Sequence, residues 1–294
     1  MQNNEIKPFL KWVGGKRQLL DEIRKYYPTE IKRYCEPFIG GAAVLFDILI
    51  NYSPKEILIN DLNSNLANVY IQVRDNPDKL IKSLKRIEGE YISRSYEEQK
   101  DMYGYLRTKY NESIPLINDH LRMRNAVLFI FLNKTGFNGL YRVNKSGLYN
   151  VPMGKYKSPC ICDETTIRNV SNVLQNVKIT SGDYSGCLDF INSDTFVYLD
   201  PPYRPISSTA SFAAYDKDTF GDNQQKELKL FIDKCVAKGA VFALSNSDPK
   251  NLDPNDDFFD DLYKDYIIER VEARRNINCK GSGRSKINEI IVHN

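Results

Sequence analysis

The segment Val197-Tyr198-Leu199-Asp200-Pro201-Pro202-Tyr203 constrains the fold more than any other part of this sequence. Its first three residues are apolar and predict the end of a buried strand. The two prolines that follow Asp200 have no backbone N–H, and the residue before each proline is held extended, so the chain must leave the sheet here as a stiff loop. That loop offers a carboxylate, carbonyl oxygens and an aromatic ring, which together suit a planar amine. An ordinary strand-to-loop turn is the alternative interpretation.

A glycine turn lies far upstream of this loop. A short predicted strand at 34–36 leads into Gly40-Gly41, and the apolar run 44–49 then starts a helix. This order is typical of the first strand–turn–helix unit of a doubly wound fold, where a nucleoside cofactor approaches bare backbone. A second apolar strand, 57–59, is followed about twenty residues after the turn by Asp61, which is placed to accept hydrogen bonds from ribose hydroxyls. Capping of the next helix is the alternative role for this acidic segment.

The middle of the chain differs from its two ends in hydrophobic spacing and in charge. Apolar residues recur at helical spacing from 64 to about 132 and predict an inserted helical domain. Between His120 and Cys162 the sequence has seven basic residues and no acidic one. Two short predicted strands flank the turn 144–147 in this stretch and predict a β-hairpin suited to a DNA groove. A solvated basic face is the alternative. A second basic stretch, 274–286, predicts a loop that touches phosphates.

Composition narrows the class of protein further. The 294 residues suffice for one large α/β domain with an insertion or for two domains. No apolar run approaches the length of a membrane span, and the N-terminus lacks the apolar core of a signal peptide. The six cysteines and two histidines are scattered without metal-ligand spacing, which predicts reduced thiols in the cytoplasm and no metal.

Five motifs follow one another along the chain: Phe9-Leu10-Lys11-Trp12-Val13-Gly14-Gly15-Lys16, Glu36-Pro37-Phe38-Ile39-Gly40-Gly41, Asn60-Asp61, Asn138-Gly139-Leu140-Tyr141-Arg142 and Asp200-Pro201-Pro202-Tyr203. Their order resembles that of the Dam-type (D12 class) N6-adenine DNA methyltransferases in their α arrangement. Their sequences are similar to those of the GATC methylases in DpnII/MboI-like restriction–modification systems.

This resemblance implies a fold and a domain organisation. The fold class is α/β, with a Rossmann-like sheet of the S-adenosylmethionine-dependent methyltransferases and an inserted helical target-recognition domain that carries the β-hairpin. Residues 1–65 and 165–294 would form the catalytic and cofactor-binding domain. Residues 66–164 would form the DNA target-recognition domain.

The resemblance also implies three groups of site residues. The catalytic group, which would hold a flipped adenine, is Asp200, Pro201 and Tyr203. The cofactor group is Trp12, Lys16, Phe38, Gly40, Asp61, Asp183 and Asp200, with Asp61 on the ribose and Asp183 on the adenine amine of the cofactor. The DNA group is Lys11, Phe137, Asn138, Leu140, Arg142, Pro152, Lys155 and Tyr156. Phe137 and Asn138 would wedge into the duplex, while Leu140, Arg142 and Pro152 would contact bases. Lys155 stands where several relatives have arginine, so it offers only a point charge.

The implied activity is transfer of a methyl group from S-adenosylmethionine to N6 of an adenine in double-stranded DNA, within GATC and without a metal. The implied partners are DNA and a restriction endonuclease for the same site, and the implied state is a monomer that contacts no membrane. Three alternatives remain open at this point. The chain could be an RNA or protein-amide N-methyltransferase, a non-catalytic DNA-binding relative, or a cytosine-C5 enzyme that uses Cys160.

Overall fold

Seven strands form a sheet in a computed structural model that describes residues 6–114, 118–204, 220–274 and 286–294. The order across the sheet is β3-β2-β1-β4-β5-β7-β6. The strands are β1 (Arg33–Glu36), β2 (Glu56–Asp61), β3 (Val177–Ser181), β4 (Thr195–Leu199), β5 (Val241–Ser247), β6 (Ile267–Arg274) and β7 (Lys286–His293).

The pairing of these strands is mostly parallel. Strand β1 pairs in parallel with both β2 and β4, and β4 pairs in parallel with β5. Strand β7 runs antiparallel between β5 and β6. The chain proceeds from β1 outward through β2 in one direction and through β4 in the other. The sheet therefore has a topological switch point at the carboxyl ends of β1 and β4, where ligands bind in open α/β sheets. The predicted α/β class is confirmed.

Nine α-helices lie in the described ranges. They are α1 (Leu20–Ile23), α2 (Ala43–Asn51), α3 (Ser64–Asp75), α4 (Pro77–Ile92), α5 (Tyr96–Glu112), α6 (Asp119–Thr135), α7 (Glu164–Val173), α8 (Asp222–Ala237) and α9 (Phe258–Leu262). Helices α3 to α6 confirm the predicted helical stretch. No helix in the described ranges has the length and apolar character that a membrane crossing requires.

Short helical turns follow the basic segment at Lys16. The chain there forms the single-turn helix α1 between two 3-10 turns, Lys16–Gln18 and Arg24–Tyr26. Leu19 precedes α1 and has no side-chain oxygen that could cap the first N–H groups of a longer helix.

The chain packs as two compact units, each built from separate segments. The first comprises the described parts of Met1–Gly15, Gly40–Ile50 and Asn60–Gly182. The second comprises the described parts of Lys16–Ile39, Asn51–Ile59 and Asp183–Asn294. The assignment of residues 66–164 to target recognition stays a prediction.

One face of α8 covers the sheet in the second unit. Its apolar residues Leu228, Phe231, Ile232 and Cys235 recur at the spacing that places them on one side of a helix, and all four are buried. They pack in one cluster with apolar side chains of β4, β5 and β7, which are Val197, Leu199, Phe242, Leu244, Ile290 and Val292. This core fixes the position at which the chain leaves β4.

Helix α6 lies at the centre of the first unit. It contacts α3, α4 and α5, and its residues from Asn125 to Asn133 are buried. Asn125 Nδ2 donates to Asn65 Oδ1 at 2.8 Å, and Asn68 Nδ2 donates to Asn125 Oδ1 at 3.2 Å. Because these buried amides are hydrogen-bonded to one another, they hold α3 and α6 in one register. The carboxyl end of α6 leads directly into the segment predicted to contact DNA.

Candidate functional site

Asp200 follows β4 and forms an ion pair with Lys16. The Nζ atom of Lys16 lies 2.7 Å from Asp200 Oδ1, and the lysine is only 4% exposed. A lysine so deeply buried keeps its charge at an acceptable cost only beside a carboxylate and further oxygen acceptors. Within the second unit, this contact therefore joins the 3-10 turn Lys16–Gln18 to the loop after β4.

The surroundings of Asp200 act on its pKa in opposite directions. Burial raises the pKa of its carboxyl to about 6, the ammonium of Lys16 opposes that rise, and the negative charge of Glu289 adds to it. The carboxyl group therefore changes charge close to neutral pH, which is a feature of groups at functional sites.

Tyr203 is held through its hydroxyl. The hydroxyl oxygen accepts a hydrogen bond from Lys16 Nζ at 2.7 Å, and the hydroxyl donates to Glu289 Oε2 at 2.5 Å. The Nζ atom of Lys16 also lies 4.7 Å from the centroid of the Tyr203 ring. Lys16 and Glu289 thus fix the far end of this aromatic side chain.

Besides the contacts at Asp200 and Tyr203, the loop makes a hydrogen bond at Pro202. Gln225, on α8, is fully buried and donates from Nε2 to the Pro202 carbonyl oxygen at 3.3 Å. Its Oε1 atom accepts from Nδ2 of Asn246, at the end of β5, at 3.3 Å. Sequence reasoning missed Gln225 and Glu289, because a glutamine on a helix and a glutamate on a strand carry no signal of their own without the tertiary fold.

Two acceptors of the loop remain unused. Among the described residues, no group donates a hydrogen bond to Asp200 Oδ2 or to the carbonyl oxygen of Pro201. Pro201 is buried, and Asp200 is partly exposed. The neighbouring residues of the loop are thus held in place, while these two oxygens have capacity for a further hydrogen bond.

Phe38 and Asp183 belong to the same unit as this loop. Asp183 is exposed, and its Oδ1 atom accepts from the backbone N–H of Ser185 at 2.9 Å, which caps the 3-10 turn Tyr184–Cys187. The ring of Phe38 packs against the rings of Tyr184 at 5.3 Å and Phe220 at 6.0 Å between centroids. An adenine-binding role for Asp183 stays a prediction.

In the first unit, Asp61 at the end of β2 accepts a hydrogen bond from the glycine turn. Its Oδ2 atom accepts from Gly40 N at 3.1 Å, and its Oδ1 atom accepts from Asn63 N at 2.9 Å. Burial raises the pKa of Asp61, and these two hydrogen bonds oppose the rise. The side chain that caps α3 is Asn63, so Asp61 itself is not the helix cap.

Trp12 explains why glycine is needed in that turn. A Cβ atom on Gly40 would lie 2.9 Å from Trp12 Nε1, and one on Gly41 would lie 2.9 Å from Trp12 Cβ. Gly40 also has a φ of +44°. The indole therefore rests on backbone that only glycine leaves bare. Trp12, Gly40 and Asp61 come together as the sequence predicts, although contact with a cofactor stays a prediction.

The residues predicted to contact DNA all belong to the first unit. Lys11 lies beside the turn formed by Phe137–Gly139, and its Nζ atom is 3.9 Å from the centroid of the Tyr156 ring. The amide of Asn133 connects these parts. Its Oδ1 atom accepts from Lys11 N at 2.9 Å, while its Nδ2 atom donates to Lys11 O at 2.7 Å and to Gly139 O at 3.1 Å. Sequence reasoning missed Asn133 because it continues an apolar helix.

The chain reverses its direction at the predicted hairpin turn, but the segments on either side of the turn do not form the expected strands. Gly147 N donates to Asn144 O in the turn, and Asn150 N donates to Arg142 O at 3.1 Å. Only isolated bridges join the two arms, so the prediction of two continuous strands is wrong. The 3-10 turn at Phe137–Gly139 interrupts one arm, and Pro152 in the other lacks an N–H.

Phe137 and Asn138 lie at the exposed tip of that 3-10 turn. Phe137 is 45% exposed, and its N–H donates to Pro152 O at 2.9 Å. Asn138 has a φ of +54°, in the left-handed region that asparagine tolerates better than most residues. A large apolar ring is thus presented on a rigid turn.

Arg142 and its neighbours offer donors along the same segment. Nε of Arg142 donates to Asn150 Oδ1 at 2.8 Å, which orients the exposed guanidinium. Leu140 is partly buried, whereas Pro152 and Lys155 are exposed. The second predicted basic loop falls largely on residues 275–285, which lie outside the described residues. Within the described ranges, no group of three or more His, Cys, Asp or Glu side chains could hold a metal ion.

The sheet order and the Asp-Pro-Pro-Tyr loop define a doubly wound α/β protein with a polar site after β4. The model of the D12 class N6 adenine-specific DNA methyltransferases matches residues 12–277. The chain belongs to this family, and it is an adenine-specific DNA methyltransferase. This membership favours DNA adenine as the substrate over the RNA, protein-amide and cytosine alternatives.

Several relatives match nearly the whole chain. The Type II methyltransferase M.MjaIII of Methanocaldococcus jannaschii is 44% identical over 99% of this chain and 99% of its own length. The Type II methyltransferase M1.LlaDCHI of Lactococcus lactis subsp. cremoris is 38% identical over 100% of this chain and 98% of its own. The DNA adenine methylase of Escherichia coli is 30% identical over 97% of this chain and 94% of its own.

We expect methyl transfer to decline as the pH falls through about 6, because the carboxyl of Asp200 is then protonated and Oδ1 and Oδ2 lose their charge. A plot of log kcat/KM against pH reports on groups of the free enzyme and should break near that value. Lys16→Gln removes the charge that lowers the pKa of Asp200, so the break should move to higher pH. A break at the same pH in both proteins would contradict the assignment to Asp200.

Proposed function

We propose that the protein transfers the methyl group of S-adenosylmethionine to N6 of an adenine flipped out of double-stranded DNA, within the sequence GATC. The observation that carries the proposal is a pair of acceptors, Asp200 Oδ2 and the Pro201 carbonyl oxygen, to which no group in the described ranges donates a hydrogen bond. An exocyclic amine has two N–H groups, so adenine can donate one hydrogen bond to each.

These acceptors would also activate the amine. The lone pair on N6 is delocalised into the adenine ring, which makes the amine a poor nucleophile. Two accepted hydrogen bonds favour a pyramidal nitrogen whose lone pair points away from the ring. As N6 attacks, it gains positive charge, and the Asp200 carboxylate stabilises that charge. When bound, S-adenosylmethionine supplies a methyl group on a positively charged sulfur.

Adenine must leave the duplex to reach these oxygens. The ring of Tyr203, fixed at its hydroxyl by Lys16 and Glu289, offers a surface on which the extruded base can stack. Stacking of a base on an aromatic side chain contributes about 1–3 kcal/mol, which offsets part of the unstacking cost. This supports Asp200, Pro201 and Tyr203 as the catalytic group.

The residues at the glycine turn fit a nucleoside cofactor. Each Asp61 carboxylate oxygen accepts one backbone hydrogen bond and has capacity for another, so ribose hydroxyls can still donate to it. We assign the ribose to Asp61 and the cofactor's adenine amine to Asp183. The remaining members of the proposed cofactor site are Trp12, Lys16, Phe38, Gly40 and Asp200. The parallel pairing of β1 with β4 supports the presence of Phe38 and Asp200 at one edge of the sheet, because parallel strands end at one edge.

The segment around Asn133 supports the DNA contacts. We assign the exposed Phe137 ring and Asn138 to a wedge that enters the duplex, and Arg142 to a guanine. Because Nε of Arg142 is held by Asn150, its terminal nitrogens remain for a bidentate contact with O6 and N7. Leu140 and Pro152 would contact bases, and Lys11, Lys155 and Tyr156 would contact the backbone or flanking bases.

The names of two relatives bear on biological context. Both are called Type II methyltransferases, which supports a place for this chain in a restriction–modification system with an endonuclease for the same site. We further propose that the enzyme acts in the cytoplasm as a monomer, since a flipped base needs one set of site residues.

A methyl-transfer assay tests the substrate. Labelled S-adenosylmethionine is supplied with a duplex that has a single GATC and with a matched duplex in which GATC is replaced by GTTC, and nucleosides are then separated. We expect N6-methyladenine from the first duplex alone. Methyladenine from both duplexes would overturn the site preference. Absence of product from both, with bound cofactor, would overturn the substrate.

Asp200→Ala tests the chemistry. The variant should bind the GATC duplex with a Kd close to that of the unaltered protein, because Asp200 makes no contact with the recognition segment in the proposal. Its methylation rate should fall by at least about a hundredfold, since the charge that stabilises the developing cation is lost. Asp200→Asn, which keeps an oxygen acceptor, separates the loss of charge from the loss of shape. Substantial turnover by Asp200→Ala would contradict the role.

Arg142→Ala tests base recognition. A lost bidentate contact to guanine should cost about 1–3 kcal/mol of discrimination at one base pair. Lys145→Ala, in the turn of the same segment, is the matched control and should weaken binding to all duplexes about equally. Equal losses over all duplexes for Arg142→Ala would instead show that Arg142 contacts a phosphate.

A further inference from the structure

We propose that Glu289 is a positioning residue for methyl transfer, which fixes the Tyr203 hydroxyl and shares the Lys16 ammonium with Asp200. This inference rests on the proposed role of Asp200 and adds a residue that the five sequence motifs do not include. Glu289 acts through Lys16 and Tyr203 and is not itself assigned a contact with DNA or cofactor.

The backbone of Glu289 is firmly held. It lies in β7 opposite Ser247 of β5 and opposite Val271 of β6, so both neighbouring strands fix its position. Its side chain is only 13% exposed. Because β7 runs antiparallel to β5, its amino-terminal half lies at the edge where β4 and β5 end. The carboxylate thereby reaches the loop that follows β4.

The first role concerns the ring of Tyr203. The Tyr203 hydroxyl donates to Glu289 Oε2 at 2.5 Å and accepts from Lys16 Nζ at 2.7 Å. A hydroxyl with one charged acceptor and one charged donor is held more strongly than one in a neutral pair. The backbone that precedes Tyr203 is held by the hydrogen bond from Gln225 to the Pro202 carbonyl oxygen. Glu289 therefore helps to hold the stacking surface at a fixed tilt.

The second role concerns charge. The ammonium of Lys16 lies 2.7 Å from Asp200 Oδ1 and 3.8 Å from Glu289 Oε2. Among the described residues, Lys16 is the only cation paired with these two carboxylates, and one positive charge cannot neutralise both. Asp200 consequently remains a strong acceptor toward an amine that becomes positive during the reaction. Without Glu289, Lys16 would neutralise Asp200 more completely.

Two charged groups among the described residues act on Asp200. Burial raises its pKa, Lys16 lowers it and Glu289 raises it. Burial, together with the Asp200 charge, raises the pKa of Tyr198 and of Tyr203, which are neutral near pH 7. Removal of the Glu289 charge should thus move the titration of Asp200 to lower pH, which a purely structural role would not do.

Glu289→Gln is the decisive variant, because the amide keeps an oxygen acceptor for Tyr203 and loses the charge. We expect kcat to fall about tenfold, as for the loss of one charge-assisted contact. The Kd values for cofactor and for the GATC duplex should stay within about twofold. The break in the pH profile should move below its position near pH 6. Glu269→Gln, on the exposed side of β6, is the matched control and should change none of these.

Tyr203→Phe separates the two roles, since it removes the hydroxyl and leaves both carboxylates. It should lower kcat without moving the pH break. The double variant with Glu289→Gln should lose less than the product of the two single losses, because both changes affect one contact.

An unmoved break and an unchanged kcat in Glu289→Gln would overturn the inference. If Asp200→Ala were inactive in the same assays, the proposed function would still stand. An active Asp200→Ala would overturn the proposed function instead. A lower kcat in Glu289→Gln with an unmoved break would overturn the shared-charge role, and fully multiplicative losses would overturn the role through Tyr203.

Discussion

The ammonium of Lys16 is the interaction on which the site depends. It contacts Asp200, the Tyr203 hydroxyl and Glu289, which come from the loop after β4 and from β7. A buried cation imposes a strict requirement, because it is costly unless charged and polar partners surround it. The need to surround the Lys16 charge therefore also holds Asp200, Tyr203 and Glu289 in place. The outcome is a loop that is held at Asp200, Pro202 and Tyr203.

A second set of contacts organises the part of the molecule predicted to contact DNA. The amide of Asn133 binds the backbone of Lys11 on one side and Gly139 on the other. Trp12, the residue after Lys11, lies against Gly40 and Gly41. Residues assigned to cofactor and to DNA are thus adjacent in one short segment of chain. The neutral amide of Asn133 can hold these segments without a buried charge, because its oxygen and nitrogen atoms both have hydrogen-bond partners.

Much of this arrangement could be predicted from the sequence. The apolar strands, the helical middle and the Asp-Pro-Pro-Tyr loop follow from local patterns, since periodicity and proline geometry act over a few residues. Strand β6 was not predicted, because the charged residues Glu269, Arg270 and Glu272 interrupt any simple alternation. Glu289 and Gln225 were missed for another reason. Their importance arises from pairing with residues more than twenty positions away, which no local pattern records.

The central claim is that adenine N6 donates to both Asp200 Oδ2 and the Pro201 carbonyl oxygen. A crystal structure of the protein with a GATC duplex and a non-reactive analogue of S-adenosylmethionine tests it most directly. The claim predicts an adenine outside the duplex, stacked on Tyr203, with N6 within about 3.2 Å of each of the two oxygens. An adenine that is flipped but donates N6 to other groups, or that reaches the site with Asp200 still distant, would contradict the claim.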